Sequence, residues 1–445
     1  MRVILLMAIL FGSVPFCIMS PYYGILLWFW VAYLNPHRFT WGAAYTMPAA
    51  LIVAIPTLVG TVFARRKQNP FITRETFLLV LLWAWFCFTY FLADQEPRFA
   101  GHMFWAQREL VRLSKNLFMI FVMIGLVTSV RKLKYVLLLT ASCFGLLALK
   151  AVLFGVATSG ESRVWGPPDS FVADNNSFAL ALNMVIPILF FLAREENNRL
   201  LRRILYCGFA CCVVSVVLTY SRGGQLGLIA VLAIICIKAR RKLIGVVLIA
   251  ACLFAVLTFA PEKWMERMST TAHGQLDQSA QQRLVAWRTA WRLVQDYPIA
   301  GAGFNSLPDE ELFLSYQAEP LPGGFKSTGP HSIYFQMMAD HGFVGLGLFL
   351  AFIGSCIVSL RALRRKALQM TETKWAVNYS HMIEVSLIGY LVSGAFLGLG
   401  YFDLFYHLAA TTIVLKILFR NEAHYLALPQ PNEQFALPEP QEVTV

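Results

Sequence analysis

Tyr220-Ser221-Arg222-Gly223-Gly224 joins two apolar stretches with almost no loop between them. A guanidinium in such a turn can bind an anion through paired, permanently charged N–H donors. Glycine lets a ligand approach the backbone, and the helix that starts there adds partial positive charge. The same residues also fit an arginine snorkelling from a helix end, with glycine for the turn. Gln282 to Arg292 has a helical pattern. There Arg283, Trp287 and Trp291 share one face, and Arg288 joins Arg292 on another. Arg283 and Arg288 are about 140° apart on an ideal helix, so they do not grip one small ligand equally. A basic amphipathic helix lying on anionic headgroups is the plainer reading of this segment. Pro298-Ile299-Ala300-Gly301-Ala302-Gly303-Phe304-Asn305 reads as a tight turn near a substrate or as an ordinary helix stop. As a phosphate loop it lacks the following Lys and the preceding strand. Pro330-His331-Ser332-Ile333-Tyr334 puts a histidine at the mouth of an apolar segment. His is the commonest general base, although a lone His is more often structural.

Other polar residues make weaker claims. Lys150 lies inside an apolar stretch, where an ionisable residue is a functional candidate unless it snorkels outward. Asp174-Asn175-Asn176 precedes another stretch and fits a helix N-cap cluster as well as a ligand contact. Asp403 is placed to pair with an arginine, and His381 and Glu384 read as structural. No triad spacing and no metal-ligand cluster is visible, so metal-independent chemistry with no cofactor fits best.

These residues must be positioned by membrane helices. Hydrophobic residues make up 58% of the 445, and charged residues only 14%, against about 25% in soluble domains. Mean hydropathy is +0.59. Apolar segments at 3–18, 22–34, 46–63, 76–93, 116–130, 135–157, 177–193, 204–220, 223–237, 243–260, 332–360, 381–399 and 402–419 predict an all-α polytopic protein of about 12–13 spans. The first two segments meet at Ser20-Pro21 as a pair of spans, and nothing reads as a cleavable signal peptide. The formal charge of +12 comes from short clusters such as Arg65-Arg66-Lys67, Arg131-Lys132 and Arg361 to Lys374. They alternate with the spans as cytoplasmic loops do, so the excess reports topology and not a nucleic-acid partner. The loops carrying Arg222, Arg283 and His331 then face outward. The organisation expected is N-terminal spans over 1–260, a long folded outer loop over 261–331, C-terminal spans over 332–420, and a Pro-rich disordered cytoplasmic tail over 421–445. The nine cysteines lie in apolar segments and form no disulfide framework.

Taken together, Tyr220-Ser221-Arg222-Gly223, Arg283…Trp287…Pro298…Gly301-Ala302-Gly303, and His331-Ser332-X-Tyr334 with His341-Gly342 and Gly345 resemble the O-antigen ligase and polymerase superfamily. Asn35-Pro36-His37-Arg38, Arg163 to Pro168, Ala173 to Asn176 and Gly400-Tyr401-Phe402-Asp403 resemble a subgroup, the putative O-glycosylation ligases associated with exosortase A systems. Ser332 departs from the wider pattern, in which Asn often follows the His. The resemblance implies a GT-C-like glycosyltransferase in a bacterial inner membrane, with its active site facing the periplasm. It implies an undecaprenyl-diphosphate-linked glycan as donor and a protein, lipid or polysaccharide hydroxyl as acceptor. By position, Arg222 and Arg283 would bind the diphosphate and His331 would be the base. Arg288, Arg163, Lys150, Asp174 and Asn175 would be candidate substrate contacts. A polymerase of the same superfamily would use the same donor. A transporter of lipid-linked sugar would instead need ionisable residues near the bilayer midplane, whereas the candidate charges here gather at one face.

Overall fold

The computed structural model describes residues 2–238 and 278–427. The expected span at 243–260, the start of the long loop at 261–277 and the tail at 428–445 lie outside the described residues. The described chain is helical, with short 3-10 turns in its connections and no strand among the described residues. Lipid offers the backbone no hydrogen bonds, so each apolar stretch satisfies its own N–H and C=O groups as a helix.

In chain order the helices are α1 (Arg2–Gly12), α2 (Val14–Met19), α3 (Pro21–Leu34), α4 (Ala49–Phe63), α5 (Arg74–Asp94), α6 (Met103–Leu126), α7 (Val130–Ala157), α8 (Asn175–Glu195), α9 (Arg199–Leu218) and α10 (Arg222–Lys238). After the undescribed stretch come α11 (Gln278–Asp296), α12 (Glu310–Tyr316), α13 (Ile333–Ala367), α14 (Trp375–Gly394) and α15 (Asp403–Ala427). Six described stretches are long and apolar enough to cross a membrane: Arg2–Met19, α5, α7, α8, α9 and α13. Helices α3 and α4 are apolar but shorter. Helices α6, α10, α14 and α15 pack into the same hydrophobic core.

Ser20 leaves the helical region and Pro21 opens α3, so the chain reverses there. The Arg2 guanidinium lies 5.8 Å from the Trp41 ring, at the end of the bundle that holds the candidate residues. At the opposite, basic end Tyr22 donates to the Lys132 carbonyl at 2.7 Å. Helix α8 is buried on every side from Phe178 to Ala193, and α7, α9, α10 and α14 surround it. That matches a segment hydrophobic all round, with no polar stripe to present to water. At the basic end Glu384, 2% exposed, accepts from Lys238 (2.8 Å), Arg361 (2.6 Å) and Arg364 (2.6 Å). One carboxylate thereby fastens α10, α13 and α14 together.

Three boundaries differ from the sequence reading. Helix α6 begins at Met103, well before the expected span at 116. Its charged first half is satisfied laterally: Arg112 pairs with Glu109 and Asp403, and Arg108 lies 5.6 and 5.3 Å from the Phe104 and Trp105 rings. The last helix continues to Ala427, past the expected tail boundary at 421. Helix α13 runs on to Ala367 and is broken at Gly342, whose φ of 70° no bulky residue adopts readily.

The described part of the outer loop has a core of its own. Val285, Ala286, Ala290, Leu293 and Val294 on α11 pack with Leu312, Phe313 and Leu321 and with Ala93, Phe99 and Ala339 from the bundle. Burying that face removes α11 from the role of a helix lying free on headgroups and seats it over the start of α13.

Candidate active site

Arg222 opens α10 directly after the three-residue turn Thr219 to Ser221. Tyr220 there has φ 56°, in the left-handed region. Its hydroxyl donates to the Gly160 carbonyl. Ser221 is 2% exposed, donates to Asn176 Oδ1 at 2.8 Å and accepts from the Gly224 N–H at 3.2 Å. Asn175 Nδ2 donates to the Thr219 carbonyl at 2.8 Å. About two helical turns further along α8, Asn183 Nδ2 donates to the Gly224 carbonyl (2.7 Å) and to Ser393 Oγ (3.1 Å). The start of α8 therefore braces the turn, and Asn183 ties the next residues to Ser393 on α14, leaving Arg222 half-buried at the helix start.

His331 is the second left-handed residue at this end, with φ 45°. A non-glycine residue pays roughly 1–2 kcal/mol for that conformation, and such strain gathers at functional sites. The surroundings impose it. Trp287 Nε1 donates to the Pro330 carbonyl at 2.7 Å, and the Trp287 ring stacks on Phe335 at 5.0 Å and 8°. Gly398 packs against the His331 backbone so closely that a Cβ there would lie 3.3 Å from its nitrogen. The ring is open to solvent on one side, and Thr328 Oγ1 lies 3.4 Å from Nε2. The histidine pKa falls below its ordinary 6.5, first because the surrounding protein desolvates it and second because the Arg283 cation opposes a further charge. Asp174 acts weakly the other way. The imidazole is therefore neutral at neutral pH, the form that can accept a proton.

The structure brings Arg283 and Trp287, one turn apart on α11, to His331. Trp287 also lies 6.4 Å from the Phe396 ring, and a Cβ on Gly223, next to Arg222, would approach Phe396 within 3.0 Å. Through Phe396 and Trp287 the start of α10 is thus linked to the side of the bundle that holds Arg283 and His331. Arg288 does not join them. It points away and pairs with Glu319 at 2.5 Å on an exposed surface, because its place on the helix diverges from that of Arg283. Asp174 caps α8 through the N–H groups of Asn176 (2.8 Å) and Ser177 (3.3 Å), so it and Asn175 are engaged in the scaffold. Arg163 and Lys150 line a different pocket.

The turn Pro298 to Asn305 is a splice onto the break in α13. Ala302 and Gly303 N–H donate to the carbonyls of Ala339 (2.9 Å) and Asp340 (2.8 Å), and Phe343 N–H donates to Pro298 (2.8 Å). Gly301, with φ 66°, passes so close to residues 339–341 that a Cβ would lie 2.5 Å from a backbone oxygen. Asp340, 2% exposed, accepts from Asn305 N–H (3.1 Å), Ser306 N–H (3.1 Å), Ser306 Oγ (2.7 Å) and Tyr401 OH (2.8 Å). His341 is fully enclosed between Thr89 Oγ1 and Tyr401 OH, both at 2.7 Å. The residues that sequence reasoning missed are Trp287 as a backbone clamp, Gly398 and Asp340. A carboxylate inside an apolar segment was the one available signal for Asp340.

An all-α bundle whose described helices include six stretches long and apolar enough to cross a membrane defines a multi-pass membrane protein. Residues 207–350, which hold Arg222, Arg283 and His331, match the O-antigen ligase family model. Residues 1–197 match a family of unknown function. No curated protein matches the chain. The domain supports the O-antigen ligase superfamily and glycan transfer of the ligase or polymerase type, from a lipid-linked glycan donor to a glycan acceptor, in a membrane.

Proposed function

We propose that the protein is a metal-independent glycan ligase, which moves a glycan en bloc from an undecaprenyl diphosphate carrier to an acceptor hydroxyl at the periplasmic face of a bacterial inner membrane. The observation that best supports this reading is that Arg222, Arg283 and the left-handed His331 all lie within the O-antigen ligase match, with the Arg283 cation close enough to lower the His331 pKa. The acceptor oxygen attacks the anomeric carbon, and the bond from that carbon to the diphosphate oxygen breaks. The electron pair leaves on the diphosphate, and the acceptor proton passes to the neutral imidazole of His331. Arg222 and Arg283 hold the diphosphate and stabilise the charge that grows on it, the task a divalent ion performs elsewhere. Inversion at that carbon follows from a single displacement. The likeness of Asn35–Arg38 and Arg163–Asn176 to exosortase-associated O-glycosylation ligases favours a protein or other surface acceptor. The two outer loops that hold these residues are clipped together by Tyr45 donating to Asp169 (2.7 Å) and Arg38 pairing with it (3.4 Å).

The test is transfer by purified protein in proteoliposomes, with labelled glycan-diphosphate-lipid donor, membrane extract as acceptor and EDTA throughout. Wild type transfers, and His331→Ala and Arg222→Ala collapse. A single labelled acceptor species indicates a ligase, and a ladder of lengthening lipid-linked glycan indicates the polymerase. Transfer by both variants at the wild-type rate overturns the site assignment.

A further inference from the structure

Leu147, Lys150, Ala151 and Phe154 on α7, with Phe178 on α8, line a pocket of ≈ 220 Å³ that residues 163–167 close from above. Every lining residue lies within 1–197, outside the O-antigen ligase match. The pocket is amphiphilic by construction: an apolar floor of Leu147, Ala151 and Phe154 and a rim that carries the Lys150 and Arg163 cations and Trp165, which is 58% exposed.

Its depth fits a lipid headgroup. Lys150 lies about 10 Å below the end of α7 at Ala157, at roughly 1.5 Å per residue. Its stem reaches up the bundle, and Nζ lies 4.5 Å from the ring of Phe39 in the outer loop after α3. Helix α7, 28 residues and about 42 Å long, exceeds a hydrocarbon core of roughly 30 Å, so its outer turns and the ammonium that reaches up from Lys150 fall near headgroup level. At ≈ 220 Å³ the pocket is smaller than the sites of drug-sized ligands, about 300–1,000 Å³, a size that suits a phosphate and the first carbons of a chain.

We propose that this pocket binds the phosphate of a membrane lipid, with Lys150 and Arg163 as its counter-cations and the first carbons of the chain against Leu147, Ala151 and Phe154. The lipid sits behind the segment that braces the Arg222 turn, because Val164 N–H donates to the Leu218 carbonyl (3.1 Å) while Asn175 and Asn176 hold Thr219 and Ser221. The phosphate comes from a bilayer phospholipid or from a polyprenyl phosphate. The proposal holds whether or not the neighbouring mouth transfers glycan.

The experiment counts lipid retained by the full chain, by native mass spectrometry from phosphatidylcholine nanodiscs. One arm is doped with phosphatidylglycerol and the other with a polyprenyl monophosphate. Wild type retains the doped lipid in at least one arm, and that arm names the source. Lys150→Gln/Arg163→Gln retains it about tenfold less or worse, the loss expected from two charge-assisted contacts. Arg222→Gln/Arg283→Gln does not lose the lipid that the Lys150 and Arg163 pair holds. Retention by the Lys150/Arg163 variant equal to wild type, or no retention in either arm, overturns the proposal. If that variant does not fold, Ala151→Leu, which fills the floor and keeps both cations, must also shed the lipid, and its failure to do so overturns the proposal equally.

Discussion

Replacing Trp287 with Phe isolates one hydrogen bond at the mouth. Phe keeps the ring that stacks on Phe335 at 5.0 Å but removes the N–H that donates to the Pro330 carbonyl at 2.7 Å. That bond is one of the restraints that hold His331 at φ 45°, a conformation costing roughly 1–2 kcal/mol. A neutral hydrogen bond contributes about 0.5–1.5 kcal/mol, and about 1.4 kcal/mol is tenfold in a population. The fraction of molecules with the imidazole in place therefore falls about two- to tenfold. In the reconstituted transfer assay kcat falls by that factor while KM for the lipid-linked donor stays put, because the arginines hold the donor. His331→Ala alone loses far more, about 100- to 10,000-fold if the residue is a general base. Adding Trp287→Phe to His331→Ala then costs less than about twofold more, since the indole acts only through the histidine. Two results refute the reasoning. A raised KM at constant kcat makes Trp287 a donor contact, and full additivity in the double variant separates it from His331 altogether.

Two other perturbations read different parts of the same end. The acid limb of kcat/KM lies below pH 6.5 in wild type, because burial and then the Arg283 cation disfavour imidazolium at His331, and Arg283→Gln moves that limb to higher pH. A limb that stays in place, or moves down, removes His331 or its coupling to Arg283 from the pH profile. Asp340→Ala leaves the four donors from Asn305, Ser306 and Tyr401 buried without their acceptor and destabilises the protein by about 3 kcal/mol or more, read as a lowered melting temperature in detergent. Transfer per folded molecule is retained at low temperature, and a normal melting curve with lost transfer places Asp340 in the site instead of the scaffold.

The bundle was legible because lipid leaves a long apolar run no alternative to a helix, and α7, α8 and α9 fall close to where hydropathy puts them. The start of α6 was not legible, since its Arg112 looks like a loop residue until Asp403, far along the chain, is seen beside it. The positions of Arg222 at a helix start and of His331 just before α13 were legible from the apolar segments that follow them. Helix periodicity separated Arg283 from Arg288. The role of Pro298 to Asn305 was hidden, because glycines at a ligand and glycines at a backbone crossing look alike in sequence. Only the meeting with residues 339–343 distinguishes them. Asp174 and Asn175 show the reverse: the N-cap pattern was visible in the sequence, but not the Thr219 carbonyl that occupies Asn175.

Tyr220 and His331 hold left-handed backbones on either side of the arginine pair, and neither is held by its own helix. The first is fixed by the Gly160 carbonyl, from the segment between α7 and α8, and by Asn175 and Asn176 at the start of α8. The second is fixed by Trp287 from α11 and by Gly398 after α14. The strain is therefore paid by contacts that carry no reacting group, which makes those contacts part of the site. A membrane substrate explains why stiffness is needed there. Lipid-linked phosphates ride at the depth of the headgroup layer, so the protein must present its cations and its base at a set height as well as a set spacing. Fixing them to helix starts does this, because a helix packed on all sides like α8 sets the height of its neighbours. Charges fixed in advance also stabilise a leaving diphosphate without reorganising as the bond breaks. Loosening the brace should then cost rate before it costs binding, which is the pattern expected of Trp287→Phe.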